Sequence, residues 1–387
     1  MKSNMTRKNM LWILAVLFSP AVFTSCLNSD EETIVLETPQ NDTGIPDDSQ
    51  AESNPFVGIG TTNVPNIQTS VDYVNGIPII RIDMTGVKNT DNIEWLRLYG
   101  TGSSEQNIWV EVDDVPKGID VYNNSDQADG RTIMTDVVFA VDNSGSMSEE
   151  ADAIARDIIS WSQQLASSGI DSRYGVVGYD GGVNGAIDLT MVNELSSFLN
   201  ERTGTSRTSH FGGVNANSLS SMANSYPRTG GECGALAIEY ADQYFSFRQG
   251  ANRVYVNFTD EPNQPKSMEK YSVTFFSNQT NWPSSKGTVH TVYSDTKFSG
   301  NTWNTREQPW LISDYTGGTT IFTNSSFTGV TLASLPVTGA MENSYIIRFT
   351  NIAELLDGQQ HKVHITIRSK DGSVTADKIF YIIFGVA

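Results

Sequence analysis

Three oxygen-bearing side chains stand at alternate positions in one short stretch, Asp142-Asn143-Ser144-Gly145-Ser146. The carboxylate of Asp142 and the hydroxyls of Ser144 and Ser146 are hard donors, which suit divalent cations such as Mg²⁺. Alone, such a stretch is typical of an Asx-turn in a loop. A role in metal binding therefore depends on the elements that surround it.

The element before this stretch is a short apolar run at 137–141, Val-Val-Phe-Ala-Val. Its length and its β-branched residues predict a strand that is buried on both faces. Ligands of open parallel sheets bind at the carboxyl ends of the strands. The three oxygens therefore follow the end of a strand at which a ligand is expected.

Two more segments carry oxygen donors after predicted elements. The segment 229–234, Thr-Gly-Gly-Glu-Cys-Gly, leads from a polar loop at 201–230 into a predicted helix. Thr259 and Asp260 end another apolar strand, at 254–258. Asp260 alone would suit a helix N-cap, and only the combination of the three segments points to one site.

Together these segments resemble the von Willebrand factor type A (VWA) domain with its metal-ion-dependent adhesion site. The resemblance covers residues 132–325, about half of the chain. It implies that Ser144 and Ser146 bind the metal directly. It also implies that Asp142 and Asp260 act largely through water or through hydrogen bonds to the ligating groups. The implied ion is Mg²⁺, with Mn²⁺ or Ca²⁺ as alternatives.

The third loop departs from the family pattern, in which a threonine often follows the two glycines. Here Glu232 stands at that place, and Thr229 precedes the glycines. Some family members carry an acid at this position, so we favour Glu232 over Thr229 as the ligand. A charged Glu232 would satisfy more of the charge of the ion and weaken its attraction for an acidic group of a partner.

Strands and helices alternate from 132 to 325, which predicts an α/β fold with a doubly wound, mainly parallel sheet of the VWA or Rossmann-like type. The flanking regions 55–131 and 326–387 have β patterns instead. The economical arrangement is one β-sandwich of both flanks with the α/β domain inserted, and the alternative is two separate β units. The predicted strands are 79–84, 95–99, 108–112, 137–141, 174–179, 186–191, 254–258, 288–293, 319–322, 344–350, 362–368 and 378–384, and the predicted helices are one capped by Ser148 and ended by Gly169, 192–200, 234–247, 267–278 and 308–315.

The first 25 residues have the pattern of a signal peptide, with three basic residues before an apolar stretch at 10–18. Cys26 follows directly, and this junction resembles the lipobox of bacterial lipoproteins, with Phe23 in the place of the usual Leu. Cys26 is therefore the predicted lipidation site, and a lipid anchor is the predicted contact with the membrane. The alternative is an ordinary signal peptide with an incidental cysteine.

An acidic tether at 26–54 follows the predicted anchor. Its run at 28–32 resembles the surface-export signal of Bacteroidetes lipoproteins, and the alternative is a solvated linker. Removal of the first 25 residues, which carry three basic and no acidic residues, changes the formal net charge from −19 to −22. This charge argues against nucleic acid as a partner. We expect an outer-membrane or cell-surface lipoprotein of a Gram-negative, Bacteroidetes-like bacterium.

These features favour a binding protein over an enzyme. The expected ligand is a protein or a glycan held at the metal site, in adhesion or surface assembly. A purely structural or fimbrial role, with the metal stabilising the fold, is the first alternative, and a metal-dependent hydrolase is the second. No motif places a general base or an activated nucleophile, and Cys233 is expected to be a small buried residue.

Overall fold

The computed structural model describes most of the chain after the predicted tether. It covers residues 43–384 apart from 59, 61, 64, 89–93, 127–132, 149, 201–218, 295–306, 325–326 and 328–330. The predicted signal peptide, Cys26, most of the tether and the first part of the polar loop lie outside the described residues. In the described part of the chain, no helix is both long enough and apolar enough to span a bilayer.

The described residues form three β-sheets and six α-helices. The strands are β1 (Ile67–Val74), β2 (Ile77–Met84), β3 (Ile108–Val112), β4 (Val115–Pro116), β5 (Ile119–Asn123), β6 (Met134–Asp142), β7 (Asp171–Tyr179), β8 (Val183–Thr190), β9 (Asn252–Thr259), β10 (Thr288–Tyr293), β11 (Thr320–Phe322), β12 (Tyr345–Phe349), β13 (His361–Arg368) and β14 (Thr375–Ile382). The helices are α1 (Ala151–Ser167), α2 (Val192–Asn200), α3 (Leu219–Ser225), α4 (Gly234–Tyr244), α5 (Trp310–Thr316) and α6 (Pro336–Glu342).

The central sheet has six strands in the order β11-β10-β9-β6-β7-β8. All neighbours are parallel except β7 and β8. From β6 the chain moves outward to β7 and β8, then returns to the other side of β6 and continues outward through β9, β10 and β11. Strands β6 and β9 therefore lie side by side where the winding direction reverses, which is where open α/β sheets bind ligands.

Strand β6 is buried on both faces, as its composition predicts. Val137, Phe139 and Val141 pack into one hydrophobic core, with α1 and α2. Val138 and Ala140 pack into a second core on the opposite face, with α3, α4 and α5. The central region is thus a mixed α/β fold with helices on both faces of a mostly parallel sheet.

The regions before and after the central sheet pair with each other. Strand β12 lies between β2 and β5 in a sheet of order β1-β2-β12-β5, and β13 pairs with β3 in a sheet of order β14-β13-β3-β4. Both sheets are antiparallel. They share one hydrophobic core, to which β2 and β12 contribute from the first sheet and β3 and β13 from the second.

Three predictions of local structure are wrong. The predicted strand at 95–99 is irregular apart from a bridge between Trp95 and Lys88, because the Asn123 side chain bonds the backbone N–H and C=O of Leu98. The predicted helix at 267–278 is two 3₁₀ turns, Glu269–Tyr271 and Val273–Ser277. The side chains of Asn263 and Glu307 bond the backbone there, at Tyr271 O and Val273 N.

The predicted start of α1 is also wrong, since a 3₁₀ turn at Gly145–Ser148 precedes a helix that begins at Ala151. Sequence patterns missed β1, β4, β5, α3 and α6. The turn between β1 and β2 had a usable signal, because Asn75 and Gly76 both have positive φ and Asn-Gly is a strong hairpin sequence.

Candidate functional site

The carboxylate of Asp142 lies at the carboxyl end of β6 and is completely buried. The backbone N–H of Ser144 donates to its Oδ1 at 2.8 Å, and the hydroxyl of Thr259 donates to its Oδ2 at 2.9 Å. Thr259 is the last residue of β9, so this second bond joins the ends of the two central strands. The adjacent strand ends of the doubly wound sheet therefore set the position of Asp142.

Two serine hydroxyls and a second carboxylate continue this arrangement. The Oγ atoms of Ser144 and Ser146 lie 2.9 Å apart, and Ser146 Oγ donates to Asp260 Oδ1 at 3.1 Å. Ser144 is buried, whereas Ser146 is exposed. The structure thus brings together four of the six side chains that the sequence proposes, and we call Asp142, Ser144, Ser146 and Asp260 the four-oxygen cluster.

The negative charge of Asp142 is poorly compensated. Burial raises its pKa from 3.8 to about 8, and the charge of Asp260 adds to this effect, while hydrogen bonds from Ser144 and Thr259 only partly oppose it. A cation at this position would favour the ionised carboxylate.

Thr229 lies in the third loop but turns towards its own backbone. It is completely buried, and its hydroxyl donates to Gly231 O at 2.8 Å. Gly230 has a φ of 74°, and a Cβ there would lie 2.4 Å from Lys266 Nζ. The positive φ favours glycine at position 230, and the loop lies close to the segment that follows β9.

Glu232 contacts that same segment. Gln264 Nε2 donates to Glu232 Oε2 at 2.7 Å and to Glu261 Oε2 at 2.9 Å. Burial, followed by the hydrogen bond to Glu232 and its charge, raises the pKa of Glu261 to about 7. The choice of Glu232 over Thr229 as metal ligand stays a prediction, because each has other hydrogen-bonding partners in this structure.

The donor set of the four-oxygen cluster fits a hard divalent cation. It consists of two hydroxyls and two carboxylates, with no sulfur or nitrogen donor. Among the described residues, no group of three or more His, Cys, Asp or Glu side chains forms a metal cluster. The four-oxygen cluster contains only two carboxylates, so it is not a group of that kind. Its other two oxygen donors are the serine hydroxyls.

Sequence reasoning assigned no role to Glu261 or Gln264 and predicted no contact for Thr259, although all three contact predicted site residues. Cys233 behaves as expected of a buried residue, with 1% exposure and a pKa that burial raises to about 12. Its thiol donates to Asn263 Oδ1 at 3.1 Å. A neutral, buried thiol is a poor nucleophile.

No family model and no curated protein matches this chain. Among solved structures, the chain is similar to the conserved hypothetical protein BatB from Bacteroides thetaiotaomicron, at 14% identity and a TM-score of 0.30, covering 50% of this chain and 92% of BatB. It is also similar to the pilus adhesin SpaC from Lactobacillus rhamnosus GG in its open conformation, at 10% identity and a TM-score of 0.33, covering 82% of this chain and 47% of SpaC. The chain thus spans about half the length of SpaC. At TM-scores this low, neither similarity carries an argument about fold or function.

Proposed function

We propose that this protein is a cell-surface lipoprotein whose central α/β region is a VWA-type domain that binds a protein or glycan ligand through a divalent cation. Asp142, Ser144, Ser146 and Asp260 would hold the ion, and Mg²⁺ fits the donor set. The observation that carries the proposal is the convergence of these four residues at the ends of β6 and β9. Hydrogen bonds link Ser144 to Ser146 and Ser146 to Asp260, and the backbone N–H of Ser144 donates to Asp142.

The residues of the four-oxygen cluster would have different roles in binding the ion and the ligand. Asp142, whose carboxylate accepts hydrogen bonds from Ser144 N–H and from Thr259, would supply buried negative charge to the ion. The hydroxyl of Ser146 and the carboxylate of Asp260 are solvent-accessible and would face the ligand side. When bound, the cation supplies positive charge that attracts oxygen donors of the ligand.

The rest of the proposed architecture serves to display this site. The two antiparallel sheets would form a β-sandwich that carries the α/β domain, and their common core supports this arrangement. A lipid on Cys26 and the acidic tether at 26–54 would anchor the body to the outer membrane or cell surface. The N-terminal sequence pattern supports this part of the proposal.

The metal site is tested by combining Asp142→Ala with Ser144→Ala. We expect the fold to be retained, as judged by circular dichroism, and the rise in melting temperature with Mg²⁺ to be lost. Ser160→Ala, on the exposed side of α1, is the matched control and should keep the full Mg²⁺ effect. An unchanged Mg²⁺-dependent melting shift in the double variant would refute the metal site.

A pull-down from cell-surface extracts, in Mg²⁺ against chelator, tests the binding role. A partner retained only with Mg²⁺ and lost in the double variant is the expected outcome. A protein that binds and is stabilised by Mg²⁺ but retains no partner would fit the structural role better.

A further inference from the structure

Glu232 is held by a set of contacts outside the four-oxygen cluster. The side-chain amide of Gln264 donates from one nitrogen to Glu232 Oε2 and to Glu261 Oε2, at 2.7 and 2.9 Å. The backbone N–H of Gln264 also donates to Glu232 O, at 2.8 Å. Main chain and side chain of Glu232 are therefore both tied to the segment that follows β9. We call Glu232, Glu261 and Gln264 the clasp.

The third loop is shaped to admit the Gln264 side chain. A Cβ at Gly231 would lie 2.2 Å from Gln264 Oε1, so any larger residue there would displace the amide. Hydrogen bonds hold both the backbone and the side chain of the neighbouring Asn263. Its backbone N–H donates to Glu307 O, and its Oδ1 accepts from Ala235 N–H. Gln264 thus projects from a fixed backbone into space that a glycine leaves open.

We propose that Gln264 is a positioning residue that keeps the Glu232 carboxylate in the clasp, so that Glu232 reaches the cation only when the clasp opens. This inference rests on the proposed metal site. While the clasp is closed, the four-oxygen cluster holds the ion without a third carboxylate. The protein then neutralises less of the positive charge of the ion, and the ion attracts a ligand oxygen more strongly. When it is open, Glu232 neutralises part of that charge.

The clasp makes the apparent Mg²⁺ affinity depend on the fraction of molecules in which Glu232 is free. Gln264→Leu keeps the approximate size of the side chain but removes the amide donors. We expect it to tighten Mg²⁺ binding about tenfold, the change that corresponds to the loss of one hydrogen bond to a charged group. If the inference is right, the tighter Mg²⁺ binding of Gln264→Leu requires the carboxylate of Glu232.

A double-mutant cycle tests this dependence. Mg²⁺ affinity is measured by isothermal titration calorimetry on the full-length protein, with no ligand present. Gln264→Leu should tighten binding about tenfold in the wild-type background and less than about twofold in a Glu232→Gln background. Gln163→Leu, on the exposed face of α1, is the matched control.

Gly231→Ala gives a second, independent way to open the clasp, because its methyl group displaces the amide without changing Gln264 itself. It should also tighten Mg²⁺ binding, and it keeps the test valid if Gln264→Leu does not fold. Gly58→Ala, where a Cβ meets nothing within 4 Å, is its control.

Two results would overturn the inference while leaving the metal site intact. One is weaker Mg²⁺ binding in Gln264→Leu and Gly231→Ala, which would mean that Gln264 orients Glu232 as a ligand. The other is equal tightening in the wild-type and Glu232→Gln backgrounds. Absence of Mg²⁺ binding in the wild-type protein would instead refute the proposed metal site, and the inference with it.

Discussion

Asp142→Asn is expected to stabilise the metal-free protein at neutral and alkaline pH. Asp142 is completely buried, and burial raises its pKa from 3.8 to about 8, with a further contribution from the charge of Asp260. The folded protein therefore resists ionisation of this group, whereas the unfolded chain does not. An asparagine at this position cannot ionise.

The sign and size of the effect follow from the two pKa values. Because the folded-state pKa is raised, the contribution of Asp142 to stability is complete below about pH 4 and is lost as the pH rises to about 8. At about 1.4 kcal/mol for each pH unit, the loss is about 4 kcal/mol at pH 7 and about 5 kcal/mol at pH 8.

The asparagine can keep the local hydrogen bonds. Its carbonyl oxygen can accept from Ser144 N–H, as Asp142 Oδ1 does. Its amide can donate to Thr259 Oγ1 after the threonine hydroxyl turns from donor to acceptor. The variant thus removes the ionisable group with little other change.

The assay is urea unfolding in chelator at several pH values between about 5 and about 8. The free energy of unfolding of Asp142→Asn minus that of wild type should grow by about 1.4 kcal/mol per pH unit up to about pH 7, and by about 1 kcal/mol between pH 7 and pH 8. Asp314→Asn, on the exposed surface of α5, controls for the loss of one negative charge. A difference that stays constant or shrinks as the pH rises would refute the reasoning.

Four other predictions concern different parts of the chain. Burial lowers the pKa of His361, but hydrogen bonds to the carboxylates of Asp113 and Asp357 outweigh this effect, so the pKa is raised. In urea titrations, the loss of stability in His361→Gln should therefore be largest below pH 6.5 and disappear at alkaline pH. Arg248→Ala leaves the buried carboxylate of Asp136 without its ion pair and should cost about 3–5 kcal/mol in the same assay. Cys233 should resist a thiol reagent in the native protein and react in urea. Cys26→Ser should move the protein from the membrane fraction to the soluble fraction.

These predictions have distinct controls. Arg156→Ala, on the exposed side of α1, matches Arg248→Ala and should change stability little. A pH-independent loss in His361→Gln would show that the ring contributes by packing against Phe384 rather than by its charge. Rapid labelling of Cys233 in the native state would contradict its burial. Retention of Cys26→Ser in the membrane fraction would count against lipidation.

Local sequence patterns were sufficient to predict the strands of the central sheet. The apolar run at 137–141 could be assigned to a doubly buried strand because alternate residues face two cores, and an uninterrupted apolar run is the only pattern that serves both. The helix at 192–200 buries Leu195, Phe198 and Leu199, which are the periodic apolar positions of a single face. Such signals lie within a few residues of each other along the chain.

Pairing between distant strands has no such local signal. The β patterns predicted only that the two β regions join, and the register of β12 between β2 and β5 depends on contacts across more than 200 residues. The failed helix at 267–278 has a similar cause. The side chains of Asn263 and Glu307 form hydrogen bonds with its backbone groups, and Glu307 lies close to this segment only in the folded chain.

Some features of the candidate site follow from the local sequence, and others depend on contacts between distant residues. The alternating oxygens of Asp142, Ser144 and Ser146 are a property of the sequence, and the parallel sheet brings Asp260 to them because β6 and β9 are neighbours. The contacts of Glu232 could not be read from its own loop. Its partner Gln264 lies 32 residues further along the chain, and the two meet only because the loops after the adjacent elements pack against each other.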